Sequence, residues 1–552
     1  TIRLPKTAKN LALIECSHLP SSISRYPYLK HKGTLLRNGV EMIKNANVVL
    51  LETGETIEVA LTWGNVTNFA GVVNDGKKLT DITHGTVEGV DWVVWSNKGS
   101  NSAQFPLIDY GFNSDDPNVW YHPVVTVKWI LDKIQEQSGV TFNFPSDKLT
   151  VINKMIIPLL TRNDSQEIYD AYPMTLKVTG YDSSIIKFEA VGDSTQQYVS
   201  TNGSRDIYPK FDSTLKLKGT IEVSYTYSQG IDYLNTPFQI TVYSTPTKQE
   251  EIINIYKPAA YIEPPYIRLV YSFDTSATVY KDGYFIISSG NGKQPINSVS
   301  GSLSVTITER EEDVLLGEKF PLVPNLPDIK QIDFIKAVAS MVGLFALPDG
   351  ENGIKFIPFD NLSANKSKAV DWTNRVIMAY NSVTPRNLQY TLDNIAQNNW
   401  FRYKEDDNVM GNYDGNIQVD DATIEYERDA ITLPFSACST KGGVAYIPLY
   451  SYNEEGELEY NKTNPRILLL DGTKGIFKGL EWTTLIANNY QTYKGLINNA
   501  KVVTEYIRLN SIELRDLEMD IPVYLAQYGC YLAIIEITTK ENDICECKLL
   551  KL

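Results

Sequence analysis

Histidine and cysteine, which supply many catalytic and metal-binding groups, are scarce in this sequence. Its 552 residues include four histidines and five cysteines. The histidines show no metal-binding spacing, and the chain has neither a Gly-x-Ser-x-Gly motif nor a phosphate-binding Gly-Lys-Ser/Thr loop. We therefore predict that the protein is not an enzyme and has no catalytic residue, cofactor or metal. All four histidines are interpreted as structural: His18, His31, His84 and His122.

The cysteines are too few and too unevenly spread for a disulfide framework, which indicates synthesis in a reducing compartment. They are Cys16, Cys438, Cys530, Cys545 and Cys547. Cys545 and Cys547 share one face of a predicted strand, and Cys530 could join them in a metal site. Two small side chains packed under a sheet would show the same spacing, and we favour that interpretation.

Runs of basic residues and long apolar runs are also missing. The formal charge is −15 and no run of Lys and Arg is longer than two, so we predict no sequence-specific binding of nucleic acid. The longest nearly apolar stretch, residues 337–347, is well short of the roughly 20 residues that cross a bilayer. We therefore predict no transmembrane segment.

Acidic residues are abundant, but their pattern does not predict a site. The pairs Asp115–Asp116, Asp406–Asp407 and Asp420–Asp421 are adjacent residues, which point to opposite faces of a strand and so cannot form an acid/base pair. Residues 404–421 lack the fixed spacing of a calcium loop, which favours a solvated acidic loop. The glycines in residues 288–294 precede no helix, which favours a hairpin turn over a phosphate site.

Strand and turn signals dominate what is present. Tyr, with 34 residues, outnumbers Phe and Trp together, as is typical of half-exposed strands. Turns at Asn38–Gly39 and Thr53–Gly54 predict a β meander in the first hundred residues, folded as a small barrel or sandwich. From 214 to 308 the pattern is almost purely β, with a hairpin predicted at Asp282–Gly283 and an inter-strand excursion at Lys248–Pro265.

Two short segments share a helix-Gly-strand pattern. In the first, an apolar stripe of Val127, Ile130, Leu131 and Ile134 predicts a helix that ends at Gly139 and leads into a strand. In the second, a stripe of Ile335, Val338, Met341 and Val342 predicts a helix that ends at Gly343. Ile130–Gly139 and Phe334–Gly343 match in length. Chance similarity of amphipathic helices is one interpretation, and internal duplication is the other.

The predicted fold is mainly β with α+β elements and several domains. A helical segment within residues 480–494 and four closing strands are expected near the end of the chain. In chain order the domains are an N-terminal β-barrel-like domain (1–120), an α+β segment (121–213), a β-sandwich-like insertion (214–317), an α+β segment with the second helix unit (318–380) and a C-terminal β-barrel-like domain (381–552).

Several stretches spread over most of the chain are similar to known proteins. They are FPLIDYG (105–111), HPVVTVKWILDKIQEQSGVTF (122–142), IDFIKAVASMVGLFALPDGENGIKFIPFDNL (332–362), DWTNRV (371–376), IPVYLAQYGCYLAIIEI (521–537) and CECKLLKL (545–552). These stretches resemble tail proteins encoded by phages and prophages of gut Bacteroides-type bacteria. More distantly, the paired helix units resemble baseplate hub (tail-tip) proteins of long-tailed phages and the hub of type VI secretion spikes.

This resemblance implies two tail-tube-like β-barrel modules per chain and a homotrimer that forms a ring of six barrels. It also implies partners among other tail proteins (tube, distal tail, spike or fibre), a location in the virion tail, and synthesis in the host bacterial cytoplasm. The expected function is that of a structural virion protein, a tail hub or tail-tip subunit that acts by assembly and not catalysis. A glycan-binding or glycan-cleaving surface protein is the alternative, suggested by the tyrosines and the predicted sandwich; a host-recognition fibre connector is a third.

Overall fold

The computed structural model is predominantly β, as predicted, and contains several sheets. It describes residues 2–37, 39–62, 76–83, 88–92, 103–111, 121–191, 198–202, 205–229, 231–233, 235–256, 258–289, 295–310, 313–350, 352–380, 383, 387–540 and 543–552. The α-helices in this part of the chain are α1 (Ala8–Leu13), α2 (Val127–Ser138), α3 (Ser146–Ile152), α4 (Gln166–Ala171), α5 (Gln331–Met341), α6 (Asp360–Ala364), α7 (Trp482–Asn489), α8 (Gln491–Asn498) and α9 (Ser511–Arg515).

The N-terminal module, residues 2–62, is one antiparallel sheet with the order β1-β4-β3-β2. Its strands are β1 (Ile2–Pro5), β2 (His31–Arg37), β3 (Val40–Thr53) and β4 (Thr56–Thr62). Strands β2, β3 and β4 pair consecutively, which confirms the predicted meander. The core of this module is small, because the buried apolar side chains among its described residues are Ile14, Ala46, Leu50, Ile57 and Val59.

Short strands then surround the first helix unit: β5 (Gly89–Asp91), β6 (Val124–Thr126), β7 (Thr141–Asn143) and β8 (Met155–Pro158). An 11-stranded sheet follows, with its own apolar core. Its strands are β9 (Met174–Asp182), β10 (Ile185–Val191), β11 (Val199–Asn202), β12 (Asp206–Pro209), β13 (Ser213–Thr226), β14 (Phe238–Thr245), β15 (Lys248–Ile255), β16 (Ala259–Glu263), β17 (Tyr266–Val279), β18 (Tyr284–Ser289) and β19 (Ile296–Arg310).

The strands of the remaining chain belong to several smaller sheets and to a 7-stranded C-terminal sheet with the order β23-β36-β37-β38-β35-β24, in which β25 also pairs with β35. The four predicted closing strands are present, and the predicted helical segment is formed by α7 and α8. The strands are β20 (Lys319–Pro321), β21 (Leu344–Asp349), β22 (Gly353–Pro358), β23 (Val370–Asp371), β24 (Val376–Ile377), β25 (Asn387–Gln389), β26 (Asn398–Lys404), β27 (Gly415–Gln418), β28 (Glu427–Ser436), β29 (Ser439–Lys441), β30 (Val444–Tyr446), β31 (Tyr450–Tyr452), β32 (Leu458–Tyr460), β33 (Leu468–Asp471), β34 (Lys474–Ile476), β35 (Val502–Arg508), β36 (Val523–Leu525), β37 (Cys530–Thr539) and β38 (Ile544–Lys551).

Two local predictions within the large sheet are wrong. Asp282–Gly283 does not close a hairpin, because β17 pairs with β13 and β16 whereas β18 pairs with β10, β12 and β14. Gly283 is required there for a different reason: a Cβ atom would lie 1.8 Å from the carbonyl oxygen of Tyr243. Lys248–Pro265 is not an excursion but contains β15 and β16, whose sequences lack clean alternation because both strands are largely exposed.

The large sheet begins at Met174, so it includes β9 and β10 as well as the strands expected from residue 214 onward. The segment 288–294, predicted to be a hairpin turn, lies outside the described residues after Ser289. The proposed domain boundaries stay a prediction.

Both helix units form as the sequence predicts. Thr126 caps the N-terminus of α2 by accepting a hydrogen bond from the Trp129 amide at 3.1 Å. Gly139 and Gly343 follow α2 and α5 in the left-handed conformation, each with a φ of 69°. The two predicted apolar stripes are buried. Helix, glycine and strand therefore recur in the same order at both places.

The two units meet in one sheet, which the sequence did not predict. Strand β7 of the first unit pairs in parallel with β22 of the second, and β22 pairs with β21. The rings of Phe144 and Phe356 stack across this contact with centroids 4.3 Å apart. Both helices also belong to the main apolar core, whose members range from Leu79 to Ile497. The units are thus two parts of one packed body.

Candidate interaction surfaces

Two of the histidines are held in structural contacts. His122 is fully buried; its Nδ1 lies 2.8 Å from the carbonyl oxygen of Leu159 and its Nε2 lies 2.7 Å from the hydroxyl of Tyr450. Burial lowers the pKa of His122 to about 3, so the ring is neutral at physiological pH. The ring of His31 stacks on the ring of Tyr26, with the ring centroids 3.8 Å apart.

Of the other two histidines, His18 is half-buried and His84 lies outside the described residues.

The cysteines support the packing interpretation of Cys545 and Cys547. Both thiols are buried in the apolar core of the C-terminal sheet, and burial raises the pKa of Cys545 to about 11 and that of Cys547 further. Cys530 packs at the edge of the same core. All five cysteines are free thiols, with Cys438 buried and Cys16 exposed. No group of three or more metal-ligating side chains is found in the described residues.

Residues 404–421 are not simply a solvated loop. The Asp406 side chain is only 6% exposed and accepts a hydrogen bond at 2.5 Å from Arg466, whose side chain is fully buried. Burial alone would raise the pKa of Asp406, but the amide of Asn408 and the charge of Arg466 together lower it. Asp414 accepts a hydrogen bond from the backbone of Tyr403. These two acids therefore have structural partners, whereas Asp407 and Met410 beside them are exposed.

The other acidic pairs within the described residues lie at or near the surface. Asp407 and Asp420 are exposed, and Asp421 accepts hydrogen bonds from Thr423 in a local turn. The pair Asp115–Asp116 lies outside the described residues. Surface acids of this kind offer charge to a partner but no cleft for chemistry.

Two grooves open on the C-terminal sheet. The first, of about 260 Å³, has an apolar floor with Lys501 and Lys551 at its rim. The second, of about 470 Å³, holds Glu513 and Asp543, each of which is ion-paired with an arginine. Both carboxylates are therefore engaged in ion pairs within the protein. Neither groove brings an acid and a base together over a reactive position.

The outer face of β16 and β17 carries an aromatic and charged cluster. The guanidinium of Arg268 lies 5.0 Å from the ring centroid of Tyr261 and is within 4.0 Å of Glu222 and Glu263. Tyr266 lies on the same face, opposite Glu263. All five residues of β16 are exposed, and β16 pairs with β17 alone among the described strands.

The N-terminal module carries a run of exposed apolar side chains. Ile23 is 98% exposed and Tyr28 is 84% exposed, and Leu19 and Leu29 are about half exposed. Arg25, Lys30 and Lys32 are interspersed among them. We refer to residues 19–32 as the basic-apolar segment. Helix or strand periodicity could not reveal this surface, since most of the segment has no regular structure and its apolar residues follow no repeat.

Comparisons with known proteins return tail proteins at low similarity. No family model and no curated protein matches the chain. The structure aligns with the 43 kDa tail protein of prophage MuSo2 from Shewanella oneidensis at 8% identity and a TM-score of 0.19, covering 64% of this chain and 97% of that one. It also aligns with the tail protein from Neisseria meningitidis MC58 at 7% identity and a TM-score of 0.17, covering 61% and 96%.

Both TM-scores are too low to establish a shared fold. In the described part of the chain, no helix is long and apolar enough to span a bilayer.

Proposed function

We propose that this chain is a structural protein of a phage or prophage tail, at the hub or tail-tip position, that acts by assembly with other tail proteins. The resemblance of its sequence segments to tail proteins of Bacteroides-type phages motivates the proposal. In this role the protein is located in the virion tail and is synthesised in the host bacterial cytoplasm. No catalytic step is part of the mechanism.

The main support for the proposal is that the two helix-Gly-strand units share one sheet. A duplicated element allows three chains to present six similar modules, which matches a sixfold tube to a threefold ring. Modules that share a core hold a fixed relative geometry, as a ring of mixed symmetry requires. The contact between β7 and β22 and the stacked rings of Phe144 and Phe356 supply that rigidity.

Assembly contacts of this kind work by burying surface. Obligate interfaces bury roughly 2,000 Å² or more, far above the area of most transient contacts. The exposed apolar residues of the N-terminal module, and the open edge of β16, are surfaces that assembly would cover.

Quantitative mass spectrometry of purified tail particles tests the proposal. The expected result is three copies per particle, with antibody labelling at one end of the tail. Particles that lack the protein, or that carry it along the whole tube, would refute the hub position. Deletion of its gene should leave tails that are absent or lack their tip.

A second candidate function rests on the aromatic cluster of β16 and β17. Tyr261 and Tyr266 offer ring faces for stacking on a sugar, and Arg268 and Glu263 offer planar hydrogen-bonding groups beside them. Binding of the full-length chain to a glycan array, lost in Y261A and Y266A, would support it. Identical array profiles for wild type and both variants would exclude this face.

A further inference from the structure

Within the described part of the chain, Ile23 and Tyr28 of the basic-apolar segment are not covered by other residues. Ile23 and Tyr28 are almost fully exposed although the segment is locally ordered by hydrogen bonds, such as that from the Ser24 hydroxyl to Glu15 at 2.5 Å. A cluster of large apolar side chains presented on an ordered scaffold is typical of a protein interface. The small core of the N-terminal module gives it little stability of its own, so covering this surface would also stabilise the fold.

Charge distinguishes this module from the rest of the chain. Residues 1–62 contain eight basic and five acidic residues, a formal charge of +3, whereas residues 63–552 contain 43 basic and 61 acidic residues, a formal charge of −18. Arg25 and Lys30 have no ion-pair partner among the described residues, and both are exposed. The partner that fits such a surface is acidic and has an exposed apolar group.

The chain itself contains a surface of that kind. Residues 420–427 form an acidic loop that ends at the first residue of β28; its acids are Asp420, Asp421, Glu425 and Glu427, and Tyr426 within it is 70% exposed. The acidic residues 454–459 differ, because they include no exposed large apolar side chain. The loop at 420–427 therefore offers both kinds of contact, and the segment at 454–459 offers charge alone.

We propose that the basic-apolar segment of one copy docks on the acidic loop, residues 420–427, of a second copy. The two surfaces are different, so the contact is head-to-tail, and repeating it around an axis closes a ring. This inference rests on the proposed function, since the ring of three copies is the assembly that it would hold together. Arg25 and Lys30 pair with the acids, and the apolar side chains pack around Tyr426.

Sedimentation velocity of the full-length chain, at several concentrations and two salt concentrations, tests the contact. Wild type should self-associate, and association should weaken at high salt because the charges are exposed. The variant R25E/K30E should raise the dissociation constant at least about tenfold, and D420K/E425K should do the same. Combining both variants restores opposite charges and should recover most of the affinity. E454K/E455K makes the same charge change elsewhere and should behave as wild type.

The side chains changed in these variants make no hydrogen bond or ion pair among the described residues, so the variants should fold; circular dichroism checks this. A wild-type protein that stays monomeric at every concentration would overturn the inference, as would association that neither charge variant weakens. Loss of binding to tail particles without loss of self-association would assign the segment to another tail protein and also overturn it. The copy number measured on particles tests the proposed function separately.

Discussion

The two glycines that end α2 and α5 provide a matched pair for testing how tightly the second unit is packed. Gly139 and Gly343 have the same φ of 69°. A Cβ atom at Gly139 would meet nothing within 4 Å, whereas one at Gly343 would lie 2.6 Å from the Cβ and 2.7 Å from the carbonyl oxygen of Asn489. Asn489 cannot move freely, because its amide donates to Met341 and accepts from Lys148.

The expected costs follow from these distances. Alanine in the left-handed conformation costs about 1–2 kcal/mol at either site. At Gly343 the overlap with Asn489 adds about 1–3 kcal/mol, as overpacking of a core does. Gly343→Ala should therefore destabilise its helix by about 2–5 kcal/mol, and Gly139→Ala should destabilise its helix by only about 1–2 kcal/mol.

Hydrogen exchange measured by mass spectrometry can separate the two sites, because it reports the opening free energy of each segment and does not require the whole chain to unfold in one step. Peptides covering 127–143 and 331–349 are compared between wild type and each variant. Equal losses of protection at both sites would refute the packing argument, and a larger loss for Gly139→Ala would reverse it.

Three further predictions concern the ion pair of Asp406, the buried His122 and the cysteine thiols. Asp406→Ala should cost about 3–5 kcal/mol because it leaves Arg466 charged and buried, whereas Asp132→Ala, which breaks an exposed helix pair, should cost less than about 1 kcal/mol; thermal unfolding compares them. The pKa of His122 is about 3 in the folded protein and about 6.5 in the unfolded chain, so the unfolded state binds more protons between these two pH values. The free energy of unfolding should therefore fall by up to about 1.4 kcal/mol per pH unit as the pH drops through that range. His122→Asn should remove that part of the pH dependence in denaturant titrations. In native protein, iodoacetamide should modify the exposed Cys16 and spare the buried thiols of β38, because burial raises their pKa. Mass spectrometry locates the label. Rapid labelling of the β38 thiols would contradict their packing in the core.

Local signals in the sequence predicted the elements that depend on local contacts. The apolar stripe and terminal glycine of each helix unit are decided within about ten residues, and both units form as expected. The tight turn at Gly39 likewise sets the pairing of β2 with β3. At these positions propensity, periodicity and turn chemistry agree.

Contacts between distant residues could not be predicted in this way. The pairing of β7 with β22 joins residues about 200 positions apart, and neither strand signals its neighbour. The turn at Asp282–Gly283 resembles that of a hairpin, yet tertiary packing sends β18 to a different group of strands. The sequence marks Asp406 as one acid of an acidic run, and only the fold brings it to Arg466.

The chain order of the main core has a consequence for biosynthesis. This core combines side chains near residue 79 with others near 497, while the large sheet between them has a core of its own. During translation the large sheet can close as soon as Arg310 has emerged, but the main core is complete only after the residues near 497 have emerged. Until then part of the main core is open to solvent on the ribosome, where chaperone binding would protect it from aggregation.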